Sequence, residues 1–430
     1  PDRLQPTARR PGVTLVGARR AYLVYLGEEA AGNFCFMMVI TASGLFMIQV
    51  ARLDALQLVL VGTTLELSAF LFEIPTGVLA DTVSRRLSVI IGTALIGAGL
   101  IVWGAWPLFG TILIGQVLWG IGATFTSGAT EAWISDETGN LGTGQIYLRA
   151  AQWGWAAGAL GIAASVPLAA TWGLQAPILV GGVGYLITTV VLIFVMPERH
   201  WSPAPRAGRS VMRAMGDTVR NGVGTVRVFP ALLTILAISF VAGAGSEAFD
   251  RLRELHILSN FALPDAPQLP AIAWFAFINL VSLIASVGAV QVARRRIDTE
   301  THIGAARTLL VLHAILIGMI VVFALAVSFE MAALSYLLTR VVRRVALPIA
   351  SAWINLGLTS DVRATVHSLN AQADALGQIA GGPLLGWLAL AAASTRPAML
   401  AVAVILAPSL YLYVRTIRLH GRDMVVDEVA

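Results

Sequence analysis

The strongest constraint on this chain is a series of long, uninterrupted apolar segments that recurs from its beginning to its end. Each segment is about as long as the ~20 residues that an α-helix needs to cross a bilayer. The short alternating strands of an outer-membrane barrel would give a different pattern. Charged residues make up only 12% of the chain, about half of the roughly one quarter that is typical of soluble domains. The sequence therefore predicts an all-α membrane protein.

Twelve such segments divide the chain, and we predict one transmembrane helix for each of them. Their limits are 21–50, 57–80, 87–108, 110–134, 147–169, 175–196, 229–257, 271–293, 304–327, 331–357, 367–391 and 397–416. The junctions at Trp106-Pro107 and Ser328-Phe329 are very short, so the count depends on real helix ends at these two points.

The distribution of arginine orients the predicted helices. Cytoplasmic loops of membrane proteins carry an excess of basic residues, and an even number of helices places both termini on the same side. Arginine is concentrated in the terminal segments and in alternate loops, whereas the loops of the other side contain Arg52 and Arg396. We therefore expect a multi-pass protein of the bacterial inner (plasma) membrane with both termini in the cytoplasm.

All 29 basic residues are arginine, which excludes several kinds of chemistry. A Walker A loop, a retinal Schiff base and a pyridoxal phosphate Schiff base each need a lysine. The single cysteine, Cys35, lies in an apolar segment, and the six histidines show no metal-binding spacing. We therefore expect no enzymatic activity, no cofactor and no metal, with an ion gradient, such as a proton gradient, or the substrate's own gradient as the energy source.

The net charge of +5 does not indicate a nucleic-acid partner, because the arginines are confined to short segments between the apolar ones. The expected partners are a small-molecule substrate and the membrane lipids. We expect the protein to be a monomer.

The longest connection between spans divides the chain into two halves. We predict an N-terminal six-helix bundle at 1–196, a cytoplasmic linker at 197–228 and a C-terminal six-helix bundle at 229–430. Between 212 and 226 of the linker, apolar residues at helical spacing lie opposite arginines, which is typical of an amphipathic helix in the lipid headgroups. The alternative is a solvated linker.

A short motif between the second and third spans carries a resemblance to a known family. Gly77 is followed by Asp81 and by the basic pair Arg85-Arg86, as in the loop signature of the major facilitator superfamily, which this chain resembles. We expect Gly77 to permit close helix packing, Asp81 to cap a helix N-terminus and the arginines to hold the loop among the headgroups. Ser84 stands where the family has a second glycine. The resemblance implies two six-helix bundles that alternate access to a central cavity.

The second span also resembles one branch of that superfamily. Its segment from Glu73 to Gly77, preceded by Glu66, is similar to the second helix of bacterial macrolide and tetracycline exporters. This resemblance supports an exporter and does not name its cargo. Gln116 takes the place of an arginine that drug/proton antiporters carry in the fourth helix, so uncoupled, facilitated transport stays open.

Ionisable residues inside the spans cost roughly 2.5 kcal/mol or more at the bilayer centre, so each of them needs a reason. Glu66 lies near mid-depth, and Glu73 follows seven residues later on the same helix face. Carboxylates held away from water can exchange protons during transport. We expect Glu66 to bind cargo or protons and Glu73 to have a structural role, while Glu28 and Glu29 at the inner end of the first span are expected to be solvated.

The seventh span contains a cluster of charges. Residues at spacings of three and four share one helix face, and here they are Glu247, Asp250, Arg251 and Glu254. Opposite charges in this arrangement indicate an internal ion-pair network. The alternative is an outer gate that breaks and re-forms as the two halves move.

Charged residues also interrupt the tenth and eleventh spans. Arg340 and Arg344 share a face of the tenth span, where they either pair with Glu247 or Asp250, reflect a shifted span boundary, or bind an anionic group of the cargo. Asp374 in the eleventh span either faces the loop between the second and third spans or lines the inner cavity.

Glycines of the fifth and eleventh spans have the spacing that is typical of close helix packing. They include Gly154, Gly158, Gly161, Gly377 and Gly381. We expect them to bring neighbouring helices into contact.

These features predict a secondary active transporter that exports lipophilic drugs or other amphipathic small molecules. Three alternatives stay open. They are a carrier of a specific organic anion or siderophore-like metabolite, a transporter that moves lipids or other amphiphiles between leaflets, and a membrane sensor or scaffold without flux.

Overall fold

The computed structural model describes residues 15–139, 142–201, 230–264, 270–296, 301–356 and 360–427. These residues form α-helices joined by short connections, and this described part contains no β-strand. The fold class predicted from the sequence is confirmed. The amphipathic helix predicted for residues 212–226 lies outside the described residues.

Seven helices of the described residues precede the linker, and two of them are the halves of one broken span. Within the described residues they are α1 (Leu15–Leu45), α2 (Ala55–Thr82), α3 (Arg85–Ala105), α4 (Phe109–Thr126), α5 (Ala129–Thr138), α6 (Thr143–Trp172) and α7 (Gln175–Val195). A π-helical turn, Phe46–Val50, continues α1. Helices α4 and α5 together form the fourth predicted span.

After the linker, each predicted span corresponds to one helix. Within the described residues these are α8 (Pro230–Asn260), α9 (Ala271–Arg296), α10 (His302–Ala324), α11 (Phe329–Asn355), α12 (Ser360–Ala391) and α13 (Thr395–Asp427). With α4 and α5 counted as one span, the described helices match the twelve predicted ones.

Among the described residues, ten spans are long and apolar enough to cross a membrane. The other two are α11, which contains Arg340, Arg343 and Arg344, and α12, which contains Asp374. Helices α2 and α8 also carry predicted functional charges but are apolar enough along the rest of their length to meet the criterion.

The short junctions are real helix ends. Trp106 ends α3 with an extended backbone (φ −126°, ψ 108°), and the Ser328 hydroxyl caps α11 by accepting a hydrogen bond from the Met331 backbone N–H at 3.3 Å. Gly128 separates α4 from α5 at a φ of 69°, a left-handed conformation that glycine adopts without steric cost.

Contacts between residues divide the chain into two compact units. Unit 1 comprises Pro1–Ser43 and Leu71–Ala214, and unit 2 comprises Gly44–Phe70 and Met215–Ala430. The end of α1 and most of α2 therefore belong to the same unit as α8 to α13.

Each unit has its own apolar core. Tyr25, Trp133 and Leu192 are buried together in unit 1, and Trp353 and Tyr413 belong to the buried core of unit 2. Burial of large apolar side chains of this kind positions the polar residues between the helices of each unit.

Glycine packing holds neighbouring helices together, as the spacing predicted. In unit 2, a Cβ atom at Gly377 or Gly381 would overlap the α8 backbone at Phe240 or Ala244. In unit 1, a Cβ atom at Gly161 would overlap the carbonyl oxygen of Phe34 in α1. The backbones of α12 and α8, and of α6 and α1, therefore approach more closely than any other residue would allow.

Candidate functional site

The charged residues of α8 form ion pairs along the helix. Arg251 Nε donates to Glu247 at 2.9 Å, and Arg253 lies 3.3 Å from Glu254 and 3.5 Å from Asp250. Glu247 and Glu254 are both buried. Buried charges are stable only when they are paired, and this arrangement matches the internal ion-pair network predicted from the spacing.

Helix α11 contributes one arginine to this network. Arg343 Nη1 donates to both carboxylate oxygens of Asp250, at 2.8 and 2.9 Å. Pairing with Glu247 or Asp250 was one of the three alternatives for Arg340 and Arg344, and neither arginine forms such a pair among the described residues. The register of α11 on α8 directs Arg343 towards Asp250 instead.

Arg340 is held by neutral groups. Its Nη1 donates to the amide oxygen of Asn279 and, at 2.9 Å, to the hydroxyl of Tyr336, whose ring centroid lies 5.6 Å from the guanidinium carbon. Arg344 lies within electrostatic range of Arg340 and Tyr336. In the described residues no ion pair joins Arg340 or Arg344 to a carboxylate, so the anion-binding alternative fits their surroundings.

Glu66 lies beside this network without being bonded into it. The charges that act on it most strongly are Glu247, Arg251 and Asp374, all within unit 2. Among the described residues no hydrogen bond or ion pair holds its half-buried carboxylate. Asp374, in contrast, accepts a hydrogen bond from Gln378 at 2.8 Å. Glu66, Glu247, Asp250 and Asp374 are thus brought together as one acidic cluster with paired and unpaired members.

Two glycines allow the charged side chains of α8 to lie against the parts of α1 and α2 that belong to unit 2. A Cβ atom at Gly62 of α2 would overlap the side chains of Glu247 and Arg251, and one at Gly44 of α1 would overlap Glu254. The sequence analysis did not single out either glycine. The role of these glycines can be recognised only in the structure, where charged side chains of α8 pack against them.

Glu73 lies on the part of α2 that belongs to unit 1. Its carboxylate is half-buried, and the Ser127 side chain lies within hydrogen-bonding reach of it. This local contact with the break between α4 and α5 fits the structural role expected for Glu73.

The motif between α2 and α3 forms a hydrogen-bonded network in unit 1. Arg85 donates to the carboxylate of Asp136 and, at 3.1 Å, to the carbonyl oxygen of Ala132, both on α5. Its contact with Asp81 is longer, at 3.4 Å, and the Asp81 side chain is 58% exposed. Arg85 therefore fastens the motif to α5 chiefly through Asp136, which the sequence analysis did not identify.

Glu198, after α7, also anchors the motif. It accepts hydrogen bonds from the Ser84 hydroxyl at 2.6 Å and from the Arg86 backbone N–H at 2.9 Å. The Arg86 guanidinium donates to the carbonyl oxygen of Ile193 in α7. The predicted role of the arginines as headgroup anchors is therefore supplemented by contacts within unit 1.

Two roles predicted within the motif are wrong. The cap of α3 is Ser84, whose hydroxyl accepts from the Leu87 backbone N–H at 2.9 Å, and not Asp81. A Cβ atom at Gly77 would meet no described atom within 4 Å, so this glycine does not mediate close packing. Ser84, which stands where the family has a second glycine, is thus the residue that caps α3.

The described part consists of long apolar helices with charged residues between them, an arrangement that is typical of helical membrane transporters. Residues 30–339 match the family model of the Major Facilitator Superfamily, and the chain belongs to this family. It is a secondary transporter and not an enzyme.

A relative in Bacillus subtilis (strain 168), the uncharacterized MFS-type transporter YxaM, is 23% identical over 385 residues, which cover 87% of this chain and 90% of the relative. Among solved structures, the nucleoside transporter NupG has a TM-score of 0.72 at 12% identity, covering 92% of this chain and 98% of that one.

Two further solved structures share the fold. A bacterial homologue of the human lysosomal transporter Spinster, in an inward-facing and unoccupied conformation, has a TM-score of 0.71 at 15% identity over 94% of this chain and 98% of that one. The peptide transporter POT in complex with sulfate has a TM-score of 0.69 at 15% identity over 94% of each chain. Identities this low show the common fold alone.

Proposed function

We propose that the protein is a proton-coupled exporter of lipophilic or amphipathic small molecules in the bacterial plasma membrane, with both termini in the cytoplasm. The observation that carries this proposal is Glu66, a half-buried carboxylate without a hydrogen bond or ion pair among the described residues, next to the ion pair of Glu247 and Arg251.

Proton exchange at Glu66 changes the electrostatics of this network. Glu247 and Asp374 act on ionised Glu66 as like charges, and Arg251 acts as an opposite charge. Protonation of Glu66 removes the repulsion and frees Arg251 to interact more strongly with Glu247. A proton therefore alters the balance between α2 and α8, which is the kind of local change that a coupled transporter needs.

The cargo class rests on a resemblance in sequence. Glu66 and the segment from Glu73 to Gly77 are similar to the second helix of macrolide and tetracycline exporters. The relatives named above include proteins described as nucleoside and peptide transporters, so the fold is compatible with several cargoes. In this proposal the protein works as a monomer without a cofactor and uses the proton gradient as its energy source.

Flux in energised inverted vesicles tests this function. Ethidium and tetracycline accumulation is measured with and without a collapsed pH gradient for the wild type, Glu66→Gln and the control Glu330→Gln, whose side chain is exposed at the start of α11. We expect gradient-dependent accumulation to fall at least about tenfold in Glu66→Gln and to persist in Glu330→Gln. Full activity of well-expressed Glu66→Gln would exclude this residue as the coupling group.

A second candidate function is transport of an organic anion. It is favoured by Arg340, whose guanidinium is held by Asn279 and Tyr336 and not by a carboxylate. An anionic cargo would then supply the missing negative charge. Competition assays with cargo analogues of increasing negative charge separate the candidates, because only the anion carrier should bind them more tightly and lose that preference in Arg340→Gln.

A further inference from the structure

Unit 1 contains a cavity that none of the preceding proposals uses. Its volume is about 190 Å³, and it is partly open. Four helices of unit 1 form its walls: α1, α3, α4 and α7. The lining residues that matter here are Glu28, Glu29, Asn33, Thr93, Thr126 and Tyr185.

Glu28 gives the cavity a carboxylate oxygen without a hydrogen-bond partner among the described residues. This atom, Oε2, is also shielded from solvent. The charged residues that act on it are Glu29 and Glu131, and both are acidic. The expectation that Glu28 and Glu29 are solvated is therefore wrong for one oxygen of Glu28, because the packing of unit 1 shields Oε2 while the residue as a whole stays partly exposed.

The neutral polar groups of the cavity offer acceptors and few donors. Thr93 donates its hydroxyl hydrogen to Val89 at 2.8 Å, and Thr126 donates to Ala123 at 3.0 Å, in both cases to a backbone carbonyl of its own helix. The Tyr185 hydroxyl donates to the carbonyl oxygen of Gly32 at 3.1 Å. Each of these oxygens keeps only lone pairs for a ligand.

Asn33 directs its amide hydrogens away from a ligand in the same manner. Its Nδ2 donates to the backbone oxygen of Glu29 at 2.9 Å and to the Glu29 carboxylate at 3.3 Å. An anion would therefore find neither a basic residue nor a free donor set in this lining, whereas a cation that donates hydrogen bonds would satisfy Glu28 and several lone pairs at once.

The size and the walls of the cavity favour an organic cation over a metal ion. A volume of about 190 Å³ corresponds to roughly six water molecules, which is far more than a dehydrated alkali ion fills. Phe36 and Ile96 add an apolar surface beside the carboxylates. A hydrocarbon group on an ammonium nitrogen would cover that surface.

We propose that this cavity binds a small organic ammonium ion, with Glu28 as the principal counter-charge and Glu29, held by Asn33, as the second. The assignment of this ammonium to a transported cargo rests on the proposed function. Binding itself does not, because the cavity is built by unit 1 residues other than Glu66.

Equilibrium binding to the full-length protein in lipid nanodiscs tests the site without any gradient. The probe is radiolabelled benzylammonium, and benzyl alcohol is the uncharged compound of the same size. We expect Glu28→Gln to weaken benzylammonium binding at least about tenfold, with Glu330→Gln within about twofold of the wild type. Binding of benzyl alcohol as tight as that of benzylammonium, displacement of the probe by sodium ions at equal concentration, or wild-type affinity in Glu28→Gln would overturn the proposal.

A measurement on the wild type avoids any dependence on the folding of variants. A hydrophobic carbodiimide modifies carboxylates in apolar surroundings, and peptide mass spectrometry locates the product. We expect modification of Glu28 that benzylammonium prevents and benzyl alcohol does not. Modification of Glu28 at an unchanged rate in the presence of benzylammonium would contradict the site.

The two proposals fail in different ways. Glu66→Gln should lose gradient-driven flux and still bind benzylammonium with wild-type affinity if both proposals hold. Normal binding in a wild-type protein that shows no proton-driven flux would remove the proposed function and leave the ammonium site. Absent binding in a protein with proton-driven flux would remove only the ammonium site.

Discussion

Arg343 of α11 and Asp250 of α8 form a two-oxygen ion pair, with Nη1 at 2.8 and 2.9 Å from the carboxylate oxygens. Their side chains are 35% and 36% exposed, so the pair lies at the edge of unit 2 and is partly screened. Asp250 also lies 3.5 Å from Arg253, which in turn contacts Glu254. This pair therefore connects α11 to the ion-pair chain along α8.

The first prediction concerns the strength of this pair. Asp250→Asn should lower the free energy of unfolding by about 1–2 kcal/mol, less than the cost of breaking a fully buried pair because both side chains are partly exposed. The double variant Asp250→Asn with Arg343→Gln should lose less than the sum of the single variants. Thermal unfolding of the purified protein measures both values, with Arg294→Gln, an exposed arginine, as the control.

An exchange of the two charges separates a static pair from a gate. Asp250→Arg combined with Arg343→Asp should restore stability if the pair acts only within unit 2. Restoration of transport by the same exchange would support the gate, whereas additive losses of stability in the double-neutral variant would contradict the pairing itself.

The second prediction compares two helical glycines. Gly377→Ala should destabilise the protein by about 1–3 kcal/mol, because its Cβ would overlap the backbone oxygen of Phe240 in α8. Gly77→Ala should instead stabilise it by about 0.5–1 kcal/mol, since no described atom lies within 4 Å of the added methyl group. Thermal unfolding of the two variants gives both signs, and a destabilising Gly77→Ala would show that the motif glycine is packed after all.

The third prediction ranks two aspartates around Arg85. Asp136→Asn should lower the free energy of unfolding by about 1–2 kcal/mol, because the Asp136 side chain is only 17% exposed and accepts directly from Arg85. Asp81→Asn should change it by less than about 0.5 kcal/mol, because the Asp81 side chain is 58% exposed and 3.4 Å from Arg85. Equal losses in these two isosteric variants would contradict this ranking and show that Asp81 binds Arg85 as strongly as Asp136 does.

The helices were predictable because their apolar segments are continuous and because short junctions, such as the one at Ser328-Phe329, mark their ends. The glycine spacings also predicted that the fifth and eleventh spans pack closely on a neighbour, since a packing face repeats every three or four residues along one helix. Both signals are local in sequence. Both can therefore be recognised without any knowledge of the tertiary structure.

The partners of the charged residues were not predictable in the same way. Pairing of Arg340 with the α8 carboxylates was one alternative that the spacing left open, but the rotation of α11 brings Arg343 to Asp250 and leaves Arg340 on Asn279. A rotation of one helix by a single residue, about 100°, decides which of several nearby arginines is used. No local pattern fixes that angle.

The same limit applies to the loop motif. Ser84 and Arg86 bind Glu198, which lies more than one hundred residues away in sequence and has no motif of its own. The cavity around Glu28 is formed by four helices, and only their packing shields one oxygen of its carboxylate. Such contacts belong to tertiary structure and give no periodic signal.

The last prediction concerns Gln116, which takes the place of the arginine found in drug/proton antiporters. It is completely buried in α4, and neither atom of its amide has a hydrogen-bond partner among the described residues. An unsatisfied buried amide costs about 1–3 kcal/mol, so Gln116→Met should raise the free energy of unfolding by about 1 kcal/mol while leaving transport unchanged. The control is Gln378→Met, which should lower stability because Gln378 donates to Asp374 at 2.8 Å. A loss of flux in a stabilised Gln116→Met protein would show instead that transport needs this amide, as the antiporters need the arginine at this position. The free hydrogen-bonding groups of the amide would then be used in another step of the transport cycle.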